Sequence, residues 1–426
     1  MFSKTMTFVT DSHYWNQIHR NPSFMLPTEE MAKAFDANSL TLGLFETNDL
    51  AHGYVRYLQG KELKQLTAKL AQHIRQTLIS KRLEHTHSNW IECGLFKFSH
   101  MLIFESVIKT LYGDIDPLSF EREYRMFDSN IHLFLYPYPA FIFKQFYSWL
   151  IKAKNFLIEQ LYQRQHQDQD RLNETRSLFV KMINDLMCEY PEQAITTKDI
   201  GSFNLALLWA AIGNTTPAVY WTLFYLLNES TETMDLIKQE INQYLSPLTG
   251  YDDIEEDDKD HRSDQLDKCI YLDSAINETL RLVATAMIIR RCSSDTKIIL
   301  SNTKTLEIPK NETVVLFPCA SHYDPHIFKD PFVYKYDRFL PTNLDVKQKR
   351  SFLPFGGGRF VCPGRYMAKN TIKLSIAFIL QHLEIEFLDN RHQASETRKI
   401  PDFQISRIGY GIAPPREEHK IRYRFR

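Results

Sequence analysis

The residues of this 426-residue chain best suited to chemistry lie in one stretch: Phe355-Gly356-Gly357-Gly358-Arg359-Phe360-Val361-Cys362-Pro363-Gly364-Arg365. A glycine turn here can bring backbone N–H groups close to the Cys362 sulfur. Pro363 suits the first position of a helix, and the pattern predicts one from 363 to about 382. The positive end of that helix would face the sulfur. Both effects favour thiolate over thiol. With no cysteine or histidine beside it in sequence, such a sulfur suits a single bond to a metal centre. An inert buried thiol is the alternative, the common fate of free cysteine. The whole chain has only 14 glycines, where average usage would give about 30. Gly356, Gly357, Gly358 and Gly364 fall within this one stretch. Such crowding marks backbone that must pass close to something or adopt special dihedrals.

Two further segments stand out. Glu278 and Arg281 sit three apart in a helical pattern over Cys269–Val283. Leu272, Ile276, Leu280 and Val283 share one face and the charges lie on the other, so the spacing alone reads as an exposed helix pair. Residues 201–228 carry no charge, more than the roughly 20 residues a membrane span needs. The middle of that run, Gly213-Asn214-Thr215-Thr216-Pro217, is unsuited to lipid. A helix buried in a large α-rich core is the expectation.

These segments need elements to hold them. Apolar spacing predicts helices over 28–38, 60–80, 95–112 and 177–190. Short β-rich runs are Met6–Thr10, Lys297–Leu300, Leu306–Ile308 and Thr313–Phe317. Residues 132–160 are rich in aromatics, 163–176 read as a polar link, and 251–268 as a solvated acidic loop. No linker divides the chain, so residues 1–426 are expected to form a single domain that is mainly α with small β-sheets. A net charge of −1 speaks against nucleic-acid binding. Six cysteines without paired short spacing argue against a disulfide framework or zinc module and fit a reducing compartment.

The pattern Phe-x-x-Gly-x-x-x-Cys-x-Gly, here Phe355, Gly358, Cys362 and Gly364, resembles the haem-binding signature of the cytochrome P450 family. Further matches follow in the family's order. They are Glu278-x-x-Arg281, then His322-Tyr323-Asp324-Pro325 and Asp330-Pro331-Phe332, then Tyr336-Asp337-Arg338-Phe339. Ala211–Pro217 resembles the helix that crosses the family's distal haem face, with a small-residue kink, an acid or amide, and a threonine. Leu208–Ala218, Lys335–Arg338, Leu58-Gln59-Gly60 and Ile405–Ile412 resemble the branch holding sterol 7α-hydroxylases, sterol 12α-hydroxylase and prostacyclin synthase. The resemblance covers nearly the whole chain. It implies the cytochrome P450 fold, haem b with Cys362 as axial ligand, and a buried charge network of Glu278, Arg281 and Arg338.

It also implies roles. Thr215 has a hydroxyl able to relay a proton, with back-bonding to the preceding turn as the alternative. Asn214 stands where much of the family has an acid, and would orient water. Arg290 matches an arginine that binds a haem propionate. The basic residue usual two positions before the cysteine is Phe360 here, so Arg359 is the substitute. Arg56 and Lys61 are further propionate candidates, and the tryptophan usual near them is absent. The glycines would let the loop pass beneath the haem. No dinucleotide fingerprint is present, so electrons from NADPH imply a separate reductase. Lys347, Lys349, Arg350, Arg365 and Lys369 form either its docking face or ordinary surface charge. The aromatics of 132–149 imply peripheral membrane contact or core packing. The family's usual anchor has no counterpart before the first strand, so the chain is expected to be a fragment, a truncated product or peripherally held. The resemblance implies the endoplasmic reticulum membrane. The activity implied is hydroxylation of a sterol-like lipid, of the 7α-hydroxylase type. Isomerisation of a lipid endoperoxide and non-catalytic binding of haem or sterol remain as alternatives.

Overall fold

The computed structural model describes residues 6–27, 34–36, 57–84, 90–113, 115–135, 144–169, 196–245, 264–388 and 402–426. In chain order the helices are α1 (Trp15–Arg20), α2 (Gly60–Glu84), α3 (Leu95–Tyr112), α4 (Glu121–Ser129), α5 (Ile131–Leu135), α6 (Lys144–Gln169) and α7 (Thr197–Ile212). There follow α8 (Thr215–Leu226), α9 (Thr231–Tyr244), α10 (Ile270–Val283), α11 (Pro318–His322), α12 (Val346–Ser351) and α13 (Arg365–His382). The strands are β1 (Met6–Val9), β2 (Phe24–Met25), β3 (Ile91–Gly94), β4 (Ile288–Cys292), β5 (Thr296–Ser301), β6 (Lys304–Ile308), β7 (Thr313–Leu316), β8 (Leu383–Phe387) and β9 (Lys420–Phe425). The fold is mainly α with small β-sheets.

Periodicity explains the helices. In α2, Leu63, Leu66, Leu70, Ile74 and Leu78 recur at three- and four-residue spacing and all face inward. Helix α8 is apolar all round and every residue in it is buried, as a central helix must be. It packs on α3, α10 and α13, while α2 packs on α3 and α13. Together these bury one large core that, among the described residues, runs from Ala34 to Tyr423.

The sheets lie to one side. The first runs in the order β1-β7-β4-β2. There β1 is parallel to β7, with Met6 opposite Thr313, and β4 is antiparallel to β7, with Arg290 opposite Val314. Trp15 and Ile18 of α1 close a second, smaller core over Val9, Phe24, Ile288 and Val314, and Trp15 Nε1 donates to the Val9 carbonyl at 2.8 Å. This anchors α1 beside the Cys362 loop. The second sheet is β3-β9-β8, and β5–β6 is a hairpin.

Several boundaries differ from the sequence reading. The uncharged helix starts at Thr197, where Thr196 and Asp199 form a reciprocal capping box. It breaks at Gly213–Asn214. The helix after the cysteine starts at Arg365 with Gly364 as its cap, two residues later than Pro363. Arg56, the helices expected over 177–190 and most of 28–38, the aromatics of 136–143 and the acidic loop up to 263 lie outside the described residues. No helix among the described residues is long and apolar enough to cross a membrane.

Candidate active site around Cys362

The Cys362 loop is built on backbone that only glycine accepts easily. Gly356 and Gly358 have φ of 73° and 68°, a left-handed region strained for any side chain. The Cys362 N–H donates to the Phe355 carbonyl at 2.9 Å, closing the loop. Phe355 itself packs partly buried against the main core. The close approach that the glycines signalled is to α1. A Cβ on Gly357 would stand 2.4 Å from the His19 ring, and one on Gly358 2.7 Å from the His19 Cβ. The loop is thus seated on His19.

The Cys362 thiol is free and half-buried. A Cβ on Gly364 would lie 4.0 Å from the sulfur, an ordinary contact. Burial pushes the thiol pKa up, against the smaller opposing effects of the Gly364 N–H and Arg365. In the free thiol, desolvation outweighs the loop and helix effects that favour a thiolate. A coordinated metal ion would reverse the balance, because it deprotonates a thiol outright.

Beside the loop is a buried cation. Arg290, in the middle of β4, is 4% exposed. Its Nη1 donates to the Ile289 carbonyl at 2.8 Å, and its guanidinium lies 4.9 Å from the Phe360 ring centre. Arg359 lies 4.5 Å from the same ring, and its Nη2 donates to the Pro22 carbonyl at 3.3 Å. Burial, with the nearby Arg359, pushes Arg290 down to about 10. His19 is held neutral, its pKa lowered to about 4 by burial and by Arg290. Neither arginine forms an ion pair with a carboxylate of the described residues. A buried cation without an anion is costly. An iron-bearing cofactor with peripheral carboxylates answers both features, the free sulfur and the uncompensated guanidinium. The residues present therefore fit haem. Lys61, the other early-helix candidate, is exposed.

The helix break has its own logic. Pro217 has no N–H, so the Gly213 carbonyl four residues earlier loses its helical partner. Arg407 Nη2 reaches that carbonyl at 3.4 Å. The same guanidinium donates through Nη1 to Asp128 Oδ1 at 2.6 Å, and Trp209 Nε1 donates to that oxygen at 2.9 Å. Asp128 is not singled out from sequence, while Trp209 and Arg407 enter only as members of matched stretches. Arg407 lay inside a matched stretch, but nothing in sequence ties Asp128 to it across 279 residues. Asn214 Oδ1 accepts from the Ile412 N–H at 2.9 Å, so this amide docks the 405–412 tail against the break. The Thr215 hydroxyl donates to the Ala211 carbonyl at 2.7 Å. Its lone pairs stay free to accept.

Glu278, Arg281 and Arg338 meet in one buried network. Glu278 accepts from Arg281 Nε at 2.8 Å and from Arg338 Nε at 2.9 Å. Arg281 Nη1 donates to the carbonyls of His322 and Pro331, and Arg338 to those of Lys329, Asp330 and Val333. The exposed pair that spacing alone suggested is fully buried, because residues 322–338 wrap over the charged face of α10. Of the basic residues flanking the loop, Lys369 is held by Asp273 at 2.8 Å and Arg365 turns to the Cys362 carbonyl at 3.0 Å. Lys347, Lys349 and Arg350 are exposed on α12.

Known proteins resemble this chain in sequence and in fold. The family model described as Cytochrome P450 matches residues 46–408. The 25-hydroxycholesterol 7-alpha-hydroxylase of Rattus norvegicus is 29% identical, over 92% of this chain and 93% of that protein. Cytochrome P450 7A1 of Oryctolagus cuniculus is 28% identical, over 89% of this chain and 75% of its own. Among solved structures, the haem domain of cytochrome P450DA superposes with a TM-score of 0.77 at 14% identity, covering 98% of this chain and 87% of that one. A free cysteine on a glycine loop, a buried guanidinium awaiting an anion and a family match across most of the sequence lead to one conclusion: the chain belongs to the cytochrome P450 family of haem-thiolate monooxygenases.

Proposed function

We propose that this protein hydroxylates a sterol-like lipid in the manner of a sterol 7α-hydroxylase, at the endoplasmic reticulum membrane, with electrons from an NADPH-dependent reductase. The observation that carries the reading is the Cys362 loop in a chain that aligns, over 92% of its length, with a protein named 25-hydroxycholesterol 7-alpha-hydroxylase.

Haem bound to Cys362 supplies the redox chemistry that inserts one oxygen atom of O2 into a C–H bond. The chain's own residues do the rest. Cys362 would hold the haem iron through its thiolate, which the Gly364 N–H and Arg365 would stabilise. Arg290 offers its N–H groups to a haem carboxylate, with Arg359 beside it. Gly358 and Gly364 set the loop geometry, and Phe355 fastens it to the core. Thr215 holds a proton at Oγ1, where release from the Ala211 carbonyl lets it serve as a relay. Asn214 supports this site by fixing the tail to the break. Lys347, Lys349 and Arg350 present positive charge to an acidic reductase surface. The aromatics of the 132–149 stretch provide peripheral membrane contact, where Trp149 is 48% exposed.

The test is turnover of a sterol panel by the purified protein with reductase and NADPH, read by product identification. A 7α-hydroxylated product is expected. Cys362→Ala should abolish both product and the long-wavelength Soret band of the reduced carbon monoxide complex. Rearrangement of a lipid endoperoxide without electrons, in the absence of sterol turnover, would overturn the reading in favour of an isomerase. Sterol-induced spectral shifts with neither reaction would overturn it in favour of a binder.

A further inference from the structure

Two guanidinium groups share the Phe360 ring. Arg290 lies 4.9 Å and Arg359 4.5 Å from its centre. They come from different elements: Arg290 from β4, Arg359 from the short turn Gly358–Phe360. Neither is neutralised by a carboxylate of the described residues. The nearest imidazole, His19, is neutral and adds no competing charge. Two cations gathered on one ring repel each other, and the buried one has lost most of its water. The negative face of the ring offsets part of this. What remains is a pair of positive groups without their anion, held on a ring two residues along the chain from Cys362.

We propose that Phe360 is a positioning residue whose ring holds the Arg290 and Arg359 guanidinium groups as a pair that together bind a carboxylate of the haem. The ring does not touch the carboxylate. It fixes the two groups that do, and its apolar body helps keep water from the buried Arg290. This accounts for an aromatic at the position where the resemblance implies a base: the charge is supplied from both sides of residue 360 instead of from it. The inference rests on the haem of the family and is independent of which lipid is oxidised.

The experiment uses the haem-loaded full chain. Two quantities are read: the rate of haem transfer to excess apomyoglobin, and the ferric/ferrous midpoint potential. Phe360→Met keeps volume and apolarity but removes the π face, and should speed haem loss about tenfold and move the potential. Phe360→Tyr keeps the face and should behave as wild type in both. Arg290→Gln should also speed haem loss, and Phe360→Met added to it should cost less than it does alone, because the ring acts partly through Arg290. Arg359→Gln, at an exposed position, should speed haem loss several-fold without disturbing the core, and so carries the test if Phe360→Met does not load haem. Wild-type haem loss and potential in Phe360→Met overturn the proposal, as does a full additive effect in the double variant. If Arg290→Gln and Arg359→Gln both retain haem normally, the carboxylate seat itself is wrong. None of these outcomes depends on sterol turnover, so they leave the substrate reading untouched.

Discussion

His322 shows how much a single side chain can reveal. It is fully buried in α11, and its Nε2 accepts from the Leu353 N–H at 3.3 Å. Burial and the neighbouring Arg281 hold its pKa down at about 3. In the unfolded chain the same group titrates near 6.5. Between these values the unfolded state binds the extra proton, so stability is intact above pH 6.5 and falls as the pH drops toward 3. Denaturant titrations across that range should show the decline, and His322→Gln should flatten its slope by up to about one proton. An unchanged slope would place the titration elsewhere. Cys362 teaches the same lesson in reverse. A glycine turn and a helix start beside a sulfur do not guarantee a thiolate, because desolvation is the larger effect until a metal ion arrives.

At the scale of elements, the break between α7 and α8 is the point where separate parts of the chain meet. Pro217 frees the Gly213 carbonyl, Arg407 takes it, and Asp128 of α4 joins through the same guanidinium. On the other side the 405–412 tail is stitched down by Asn214 and by Thr285, whose N–H donates to the Gly411 carbonyl at 2.8 Å. Gly411 is needed there. Its φ is 142°, and a Cβ on it would stand 1.9 Å from Asn214 Oδ1. Gly411→Ala should therefore lift the tail, leaving the Ile412 N–H unpaired at a cost of about 1–3 kcal/mol. Hydrogen exchange should quicken at 409–412 and at the break while the core of α13 stays protected. Wild-type exchange at 409–412 in Gly411→Ala would refute this.

For the molecule as a whole, Glu278 is the tie between the helical core and the long irregular passage that leads to the cysteine. One carboxylate holds two arginines, and these hold carbonyls at 322, 329, 330, 331 and 333. The Lys335 N–H also donates to it at 3.1 Å. Glu278→Gln leaves buried cations without their counter-charge, a loss of about 3–5 kcal/mol. Folded yield and haem content should fall together, and chemical denaturation should show the lower midpoint. A stable, fully loaded Glu278→Gln protein would show that the carbonyls alone hold the passage.

The sequence by itself determined the fold class, the positions of the helices with strong apolar periodicity such as 95–112, and the identity of Cys362 as the singular sulfur. These are local properties: spacing, glycine scarcity and short motifs are written along the chain. Only the tertiary structure decided what each group faces. The same Glu278–Arg281 spacing serves an exposed or a buried pair, and residues 322–338 make the choice by folding over it. The glycine run announced a close approach but not that His19, more than 330 positions earlier, is the neighbour. Asp128 and Arg407 carry no shared signal because their contact depends on how α4 and the tail pack at the break. The missing base at residue 360 reads from sequence as a gap, whereas in three dimensions two arginines from separate elements meet over the ring that replaced it. Contacts between distant segments depend on burial and packing, and no spacing rule encodes those.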